Sequence, residues 1–203
     1  MRSPRILLLL LICLCLSACV PTMRTLRPEL SGTVTDFISK EPLEGVLLAD
    51  DPQGAETRSD AQGRYSLRGH YALGYTMLGG EGYNLIYSVR FSKAGYLPFT
   101  ENHFGGFGTG QGMSKSEVNP RMLRENHPIA VAMAPALRKV RLPEKEAESV
   151  CLRLLAAVRA AGLERSDAEY LLWNYGVWFF EPLFGRSDEF CWRELKQGAS
   201  IWP

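Results

Sequence analysis

Hydrophobic and polar side chains alternate in several short runs through the middle of the chain. Between Arg64 and Arg68 every second residue is apolar, and Asn84–Phe91 is the strongest run of β-type residues. A period of two is typical of strands with one buried face. Turn-forming residues separate the runs, as in Asp50–Gly54 and Ser59–Gly63. Further strands are predicted at Ser31–Asp36, Leu43–Ala49, Ala55–Arg58, Leu97–Thr100 and Pro128–Pro135. Such a series of short strands predicts a β-sandwich.

Three segments do not fit this strand pattern. Pro21–Pro28 is a short polar stretch, which is interpreted as part of a tether over residues 19–29. Gly69–Tyr83 is a glycine-rich aromatic insertion, and Glu101–His127 is a long polar loop with many glycines. The predicted sandwich therefore covers residues 30–137 and carries two long insertions.

The C-terminal third, residues 138–203, has the period of helices. Apolar residues recur at three- and four-residue spacing over Glu144–Ala161. Ser166-Asp167-Ala168-Glu169 has the signature of a capping box, which predicts a second helix from Asp167 to about Phe179. A third helix is predicted from Ser187 to Lys196. The fold class expected is mainly β with α, a sandwich followed by a helical extension.

The N-terminus has the pattern of a secretory signal. Arg2 and Arg5 precede an unbroken apolar run over Ile6–Leu16, which is too short to span a bilayer stably. Leu16-Ser17-Ala18-Cys19 follows and resembles the lipobox of bacterial lipoproteins. The alternative is an ordinary secretory signal, residues 1–18, with a chance cysteine after it.

The lipobox resemblance implies a membrane anchor at Cys19. It implies cleavage before this residue, a diacylglycerol thioether on its sulfur and an acyl group such as palmitate on the new amino group. Two or more acyl chains hold a protein stably at a membrane, whereas one does so only marginally. Val20 and Pro21 follow, and the absence of Asp after the lipidated cysteine favours the outer membrane by analogy with Gram-negative sorting. The protein is therefore expected to face the periplasm.

Cleavage changes both the charge balance and the cysteine count. Removing 18 of 203 residues leaves 185, and loss of two arginines leaves 21 basic against 22 acidic residues. A near-neutral chain gives no electrostatic reason to expect nucleic acid as a partner. Cys13 and Cys15 leave with the signal and Cys19 carries lipid, so only Cys151 and Cys191 remain. In an oxidising compartment this pair predicts a disulfide, the alternative being two separately buried thiols.

The β region resembles the carboxypeptidase regulatory-like domain, a transthyretin-like seven-stranded β-sandwich. Three clusters carry the resemblance: Gly32-x-Val34-x-Asp36 with Pro42-Leu43-x-Gly45-Val46, then Ser59-Asp60-x-x-Gly63-x-Tyr65, then Lys93-x-Gly95-Tyr96. Here Gly45 and Gly95 suit bulges or close backbone approach, while Tyr65 and Tyr96 are expected to supply core area. Members of this family are usually non-catalytic accessory or binding domains, so the resemblance implies a scaffold rather than an enzyme.

No sequence motif indicates catalysis. His70, His103 and His127 stand far apart and outside metal-binding pairings, so neither a metal site nor a cofactor is expected. The glycine-rich stretch Gly105–Gly112 lacks the Gly-Lys-Ser/Thr ending of a phosphate-binding loop. The Ser200-Ile201-Trp202-Pro203 end differs from the Tyr-Arg-Gly-Ser-type tail of transthyretin-like hydrolases.

The aromatic residues are the candidates for binding. All four tryptophans lie in the last 31 residues, in or near the apolar stretch Leu171–Phe180. This tail could form a second core on the sandwich, present a partner-binding surface, or enter the membrane, which Asn174 and Glu181 disfavour. The candidate binding residues on the two insertions and the tail are Tyr71, Tyr75, Tyr83, Phe104, Phe107, Trp173, Trp178 and Trp192.

These observations favour a lipid-anchored, non-catalytic module that binds or supports another envelope protein. One alternative is an inhibitor or immunity-type partner that plugs a secreted enzyme with the same loops. The other is an unrecognised envelope hydrolase, which would bring His103 or His127 together with an acid and a nucleophile.

Overall fold

The computed structural model describes residues 19–50, 54–77, 86–104, 115–137, 144–176, 191 and 193–196. The signal-peptide prediction for residues 1–18 lies outside them. Within these residues the chain is mainly β with additional helices, as predicted. It divides into two compact units. The first unit consists of the described residues within Met1–Thr35, Glu41–Phe91 and Thr100–Pro120. The second unit consists of the described residues within Asp36–Lys40, Ser92–Phe99 and Arg121–Pro203.

The strands of the described residues form several small sheets. They are β1 Cys19–Arg27, β2 Glu29–Thr33, β3 Thr35–Asp36, β4 Leu47–Asp50, β5 Glu56–Arg58, β6 Arg64–Leu67, β7 His70–Met77, β8 Ile86–Ser92, β9 Phe99–Phe104, β10 Lys115–Glu117 and β11 Arg121–Met122. The sheet orders are β1-β7, β10-β2-β6, β11-β3 and β5-β4-β8-β9. β10 runs parallel to β2, whereas β6 runs antiparallel to it.

The core of the first unit comes from the alternation in the sequence. In β6, Tyr65 and Leu67 are buried and the residues between them are exposed. In β8, Tyr87, Val89 and Phe91 are buried on one face. The rings of Tyr65 and Phe91 meet edge to face, with centroids 5.4 Å apart. The turn between β5 and β6 is formed as expected, since Asp60 Oδ1 accepts hydrogen bonds from two backbone N–H groups and Gly63 has φ +72°.

Most of the predicted tether and the described part of the first insertion form paired strands. β1 and β7 run antiparallel from Cys19 opposite Met77 to Arg27 opposite His70, with a register shift between Thr25 and Arg27. In β7 large side chains alternate with small ones, at Tyr71, Leu73, Tyr75 and Met77. This period of two is present in the sequence, within the segment interpreted as a glycine-rich insertion. The predicted loop Glu101–His127 also contains strand residues, including β10 and β11.

The predicted final strand Pro128–Pro135 is wrong, because this segment lies in helix α1, Pro128–Leu137. A short apolar run does not distinguish a buried strand from a buried helix. Three alanines favour the helix, and proline is well tolerated at the first helical position. His127 Nδ1 accepts a hydrogen bond from the Ile129 N–H at 3.3 Å, and Ile129 and Met133 are buried one turn apart.

The other helices of the second unit follow the prediction more closely. α2 spans Glu144–Ala160, and Gly162, whose φ is +67°, follows its C-terminal end. α3 spans Arg165–Leu171 and continues as a π-helical turn, Leu172–Gly176. Its N-cap is Glu164, not Ser166, because the Asp167 carboxylate accepts a hydrogen bond from the Glu164 N–H at 3.3 Å. Cys191 and residues 193–196 are helical.

The predicted disulfide is confirmed. Cys151 in α2 is bonded to Cys191, and their Cα atoms are 5.8 Å apart. Both residues are buried in the second unit. No helix among the described residues combines the length and apolar character needed to cross a bilayer.

Candidate functional site

Asp36 organises a polar site in the second unit. This residue ends β3 and is buried. Its Oδ1 accepts hydrogen bonds from the backbone N–H groups of Ile38 and Ser39, at 2.9 and 3.0 Å, which form an Asx-type turn. Its Oδ2 accepts one from Arg124 Nε at 2.8 Å and one from the Tyr96 hydroxyl at 3.0 Å. Four donors therefore satisfy one carboxylate.

The backbone holds Tyr96 and Arg124 side by side. The two residues form an isolated antiparallel bridge. On either side of it, the Leu97 N–H donates to the Leu123 carbonyl at 2.8 Å and the Glu125 N–H to the Gly95 carbonyl at 3.0 Å. Tyr96 is only half-buried, so it does not supply core area as expected. Its role in the described structure is the hydrogen bond to the buried Asp36 carboxylate.

An open depression of about 400 Å³ lies at this bridge, lined by Gly95, Tyr96, Arg124, Glu125 and Asn126. The Arg124 guanidinium lies 5.7 Å from the centre of the Tyr96 ring and is more than half exposed. One aromatic face, one cation, one amide and one carboxylate suit a polar ligand held by stacking and hydrogen bonds. They do not form a nucleophile and base pair for covalent catalysis.

The charge of Asp36 gives a testable pH dependence. Burial alone would raise the pKa of this carboxyl, but hydrogen bonds from Arg124, Ser39, Ile38 and Tyr96 outweigh it and hold the pKa below 3.8. As the pH falls, the unfolded chain therefore takes up the proton first. The stabilisation by the Asp36 carboxylate is complete above the pKa that this group has in the unfolded chain. It is lost as the pH falls through the lower pKa of the folded protein.

We therefore expect the free energy of unfolding to decline as the pH falls below about 5, and Asp36→Asn to make this decline shallower. Urea titrations at a series of pH values would measure it. Equal slopes for the parent and Asp36→Asn would contradict this role of Asp36.

A second polar cluster anchors α3. The Asp167 carboxylate accepts hydrogen bonds from Arg121 at 2.6 Å and from Lys40 Nζ at 3.0 Å. The Arg121 guanidinium also lies 3.9 Å from the centre of the Tyr170 ring, and this ring stacks on Phe37 at 5.7 Å. Burial would raise the pKa of Asp167, but its hydrogen bonds to Lys40 and Arg121 lower it. These contacts are internal to the second unit and serve its packing.

The aromatic tail is divided between core and surface. Leu171, Leu172 and Tyr175 are buried, and the Tyr175 hydroxyl donates to the Arg121 carbonyl at 3.2 Å. Trp173, on the π-helical turn, is 68% exposed. Part of the tail is therefore buried in the second unit, whereas Trp173 is exposed. Trp178 lies outside the described residues, as does Trp192.

The two insertions supply one further exposed aromatic residue. Tyr71 is 45% exposed on β7 of the first unit. Tyr75 lies on the same strand and Phe104 ends β9, but their side chains fall outside the described part. Tyr83 and Phe107 lie outside it altogether. Of the predicted site residues in the described ranges, the structure brings together Cys151 and Cys191, while Tyr71 and Trp173 belong to different units.

An apolar surface that the sequence analysis missed lies on β1 and β7. Met23 is 61% exposed and Leu73 is 67% exposed, and the two face each other across the strand pair. The alternation in β7 was the signal that could have identified this surface. The described residues contain no group of three or more histidines, cysteines or acids that could hold a metal ion. His70 is on β7, and His127 precedes α1.

Comparison with known proteins does not assign the chain to a family. No protein-family model matches the chain, and no curated protein matches its sequence. Similar solved structures are β-rich proteins. One is the 3-chlorocatechol 1,2-dioxygenase of Rhodococcus opacus 1CP, at 13% identity and a TM-score of 0.32, with 47% of this chain and 59% of that chain covered.

Two other structures are about equally distant. One is a protein from Bacteroides uniformis ATCC 8492 that is described as carbohydrate-binding. It has 12% identity and a TM-score of 0.29, with 48% of this chain and 42% of that chain covered. A type II cohesin–X-dockerin complex of Acetivibrio cellulolyticus has 13% identity and a TM-score of 0.31, with 66% and 92% covered. The chain thus spans less than two thirds of the first two proteins. Similarity at this level carries no argument about activity or partners.

Proposed function

We propose that the chain is a lipoprotein anchored through Cys19 at the outer membrane, where it faces the periplasm and binds another envelope protein without catalysing a reaction. The observation that carries this proposal is the disulfide between Cys151 and Cys191. Disulfides persist in oxidising compartments such as the periplasm and are rare in the cytosol. The disulfide therefore supports the same oxidising compartment as the signal sequence and the lipobox, which ends at Cys19.

The proposal includes a transthyretin-like sandwich of the carboxypeptidase regulatory-like type. Asp36 of the first motif cluster and Tyr96 of the last one meet in the second unit, where the Tyr96 hydroxyl donates to the Asp36 carboxylate at 3.0 Å. The remaining cluster, Ser59-Asp60-x-x-Gly63-x-Tyr65, forms the tight turn before β6. A Cβ on Gly63 would lie 2.5 Å from the Val34 carbonyl oxygen. These contacts support the proposal because they give Asp36, Tyr96 and Gly63 structural roles, although Tyr96 acts through its hydroxyl and not as core area.

The proposed contact with a partner uses Trp173. Tryptophan contributes disproportionately to protein interfaces, because its large flat surface becomes buried with little loss of side-chain freedom. Here the residue is exposed although its neighbours Leu172 and Tyr175 are buried. The short π-helical segment that carries it is a rare conformation, found frequently at functional sites.

The anchor is tested with Cys19→Ala. We expect the parent to incorporate labelled palmitate and to sediment with outer-membrane vesicles, and the variant to lose the label and appear in the soluble periplasmic fraction. Cys151→Ala serves as the matched control, because it removes a cysteine from the same compartment without removing the anchor. Unchanged labelling and sedimentation of Cys19→Ala would refute the proposed anchor.

The binding role is tested by capture from detergent-solubilised envelopes. We expect the lipidated parent to retain one or more envelope proteins, and Trp173→Ala to retain at least about tenfold less, as for hot-spot tryptophans. Leu152→Ala is the control, since Leu152 is another exposed apolar residue of the second unit. Equal capture by both variants would argue against Trp173. Capture of a single secreted enzyme with loss of its activity would instead favour the inhibitor alternative.

A further inference from the structure

β1 and β7 form a two-stranded ribbon with an apolar exposed face. Met23 lies directly opposite Leu73, and Tyr71 is two residues from Leu73 along β7. Residues two apart on a strand share a face, and directly opposite side chains stand about 5 Å apart. The exposed side chains of Met23 and Leu73 therefore lie side by side, and exposed Tyr71 is on the same face with its ring beside Gly69. We call these three side chains the ribbon patch.

The ribbon patch lies close to the proposed lipid anchor. β1 begins at Cys19, which is paired with Met77, and Met23 is four residues further along the strand. At about 3.3 Å per residue the separation is about 13 Å. Acyl chains on Cys19 would hold the start of β1 at the lipid boundary. The patch would then lie within reach of the same bilayer.

The direction of the ribbon decides whether the patch reaches lipid. The headgroup layer on each side of a bilayer is about 5–8 Å thick. An upright ribbon would raise Met23 and Leu73 about 13 Å above the anchor, beyond this layer and into water. A ribbon lying along the surface would place both at the boundary of headgroups and acyl chains, where Tyr71 also suits the amphipathic environment.

We propose that the β1–β7 ribbon lies on the bilayer and inserts Met23, Leu73 and Tyr71 into its interfacial layer. This inference rests on the proposed anchoring of Cys19. The ligand is the lipid surface itself, recognised through apolar contact beside the acylated residue. The ribbon thereby fixes the orientation of the first unit at the membrane, which a flexible tether would leave free.

The test uses the full acylated protein with Leu73→Cys. Because Cys19 is lipidated and Cys151 is bonded to Cys191, the new thiol is the single labelling site for an environment-sensitive fluorophore. The labelled protein is reconstituted into vesicles of phosphatidylethanolamine and phosphatidylglycerol, with or without brominated acyl chains. Ala72→Cys is the matched control, because residue 72 is adjacent on β7 but on the opposite face of the ribbon.

We expect brominated lipid to quench the label at position 73 at least about threefold more than the label at position 72. Equal quenching in protein that floats with the vesicles would overturn the inference and leave the anchor intact. Protein that is not acylated and does not float would instead refute the proposed function. A label at position 73 shielded in native envelopes but accessible in pure lipid vesicles would show a protein on the patch, which also overturns the inference.

Discussion

Asp50→Ala is expected to lower the free energy of unfolding by about 3–5 kcal/mol, because it leaves the buried Arg27 without its counter-ion. Arg27 Nε lies 2.5 Å from Asp50 Oδ2, and both side chains are only 1% exposed. The guanidinium also donates to the carbonyls of Arg68 at 2.7 Å and Pro28 at 3.4 Å. These neutral acceptors cannot replace the lost charge. Urea denaturation of the purified protein would measure the change in midpoint and slope.

Two further variants distinguish the cost of leaving a buried charge unpaired from the cost of losing any ion pair. Glu169→Ala removes an exposed partner of Arg165 in α3 and should cost at most about 0.5 kcal/mol. Replacing both members of the buried pair, Arg27→Met with Asp50→Leu, should recover most of the loss, because no unpaired charge remains. A loss below about 1 kcal/mol for Asp50→Ala would contradict the burial of this pair.

Removal of the disulfide is expected to lower the stability of the second unit by about 4 kcal/mol, the chain-entropy value for a loop of this length. Cys151 and Cys191 are 40 residues apart in sequence, and their bond joins α2 to the helical residues near the C-terminus. Breaking it lets the unfolded chain explore conformations that the closed loop excludes. Thermal unfolding of Cys151→Ser with Cys191→Ser, beside the parent, would measure the loss.

Reduction provides the internal control for this prediction. Dithiothreitol should lower the unfolding temperature of the parent to that of the double variant and should leave the double variant unchanged. Thiol titration of the unfolded, unreduced parent should find neither cysteine free. Two free thiols, or an equal response of both proteins to reductant, would show that the bond does not stabilise the protein.

Local patterns in the sequence predicted much of the secondary structure. The alternation around Tyr65 and Leu67 gave β6 and its buried face, and the three- and four-residue spacing gave α2 to within one residue. The Asp60–Gly63 turn followed from residue types whose backbone preferences act over a few positions. Such features depend on neighbouring residues, so the sequence contains the information needed to predict them.

The secondary-structure predictions were wrong where a segment packs or pairs with residues that are distant in the sequence. Cys19–Arg27 became a strand because β7, more than forty residues later, supplies its hydrogen bonds. Pro128–Pro135 became helical although its apolar run fits either structure, because helix packing buries Ile129 and Met133 together. Neither result could be obtained from the segment alone.

The candidate site shows the same division. The sequence identified Asp36 and Tyr96 as separate motif positions, but it did not show that Arg124 joins them around one buried carboxylate. It found the cluster of aromatic residues in the tail, whereas the structure buries Tyr175 and exposes Trp173. Exposure depends on which face of an element meets the core, and residue type does not specify this.

By itself the sequence determined the mainly β character, the helices among the described C-terminal residues and the pairing of the last two cysteines, because composition, period and cysteine count are properties of the chain. The tertiary structure decided that Arg27 and Asp50 share a buried site, that β1 and β7 form a ribbon, and that Met23 and Leu73 remain exposed on it. These outcomes depend on long-range pairing. Each segment takes the conformation that satisfies its hydrogen bonds and buries its apolar surface against whatever partner the rest of the fold provides.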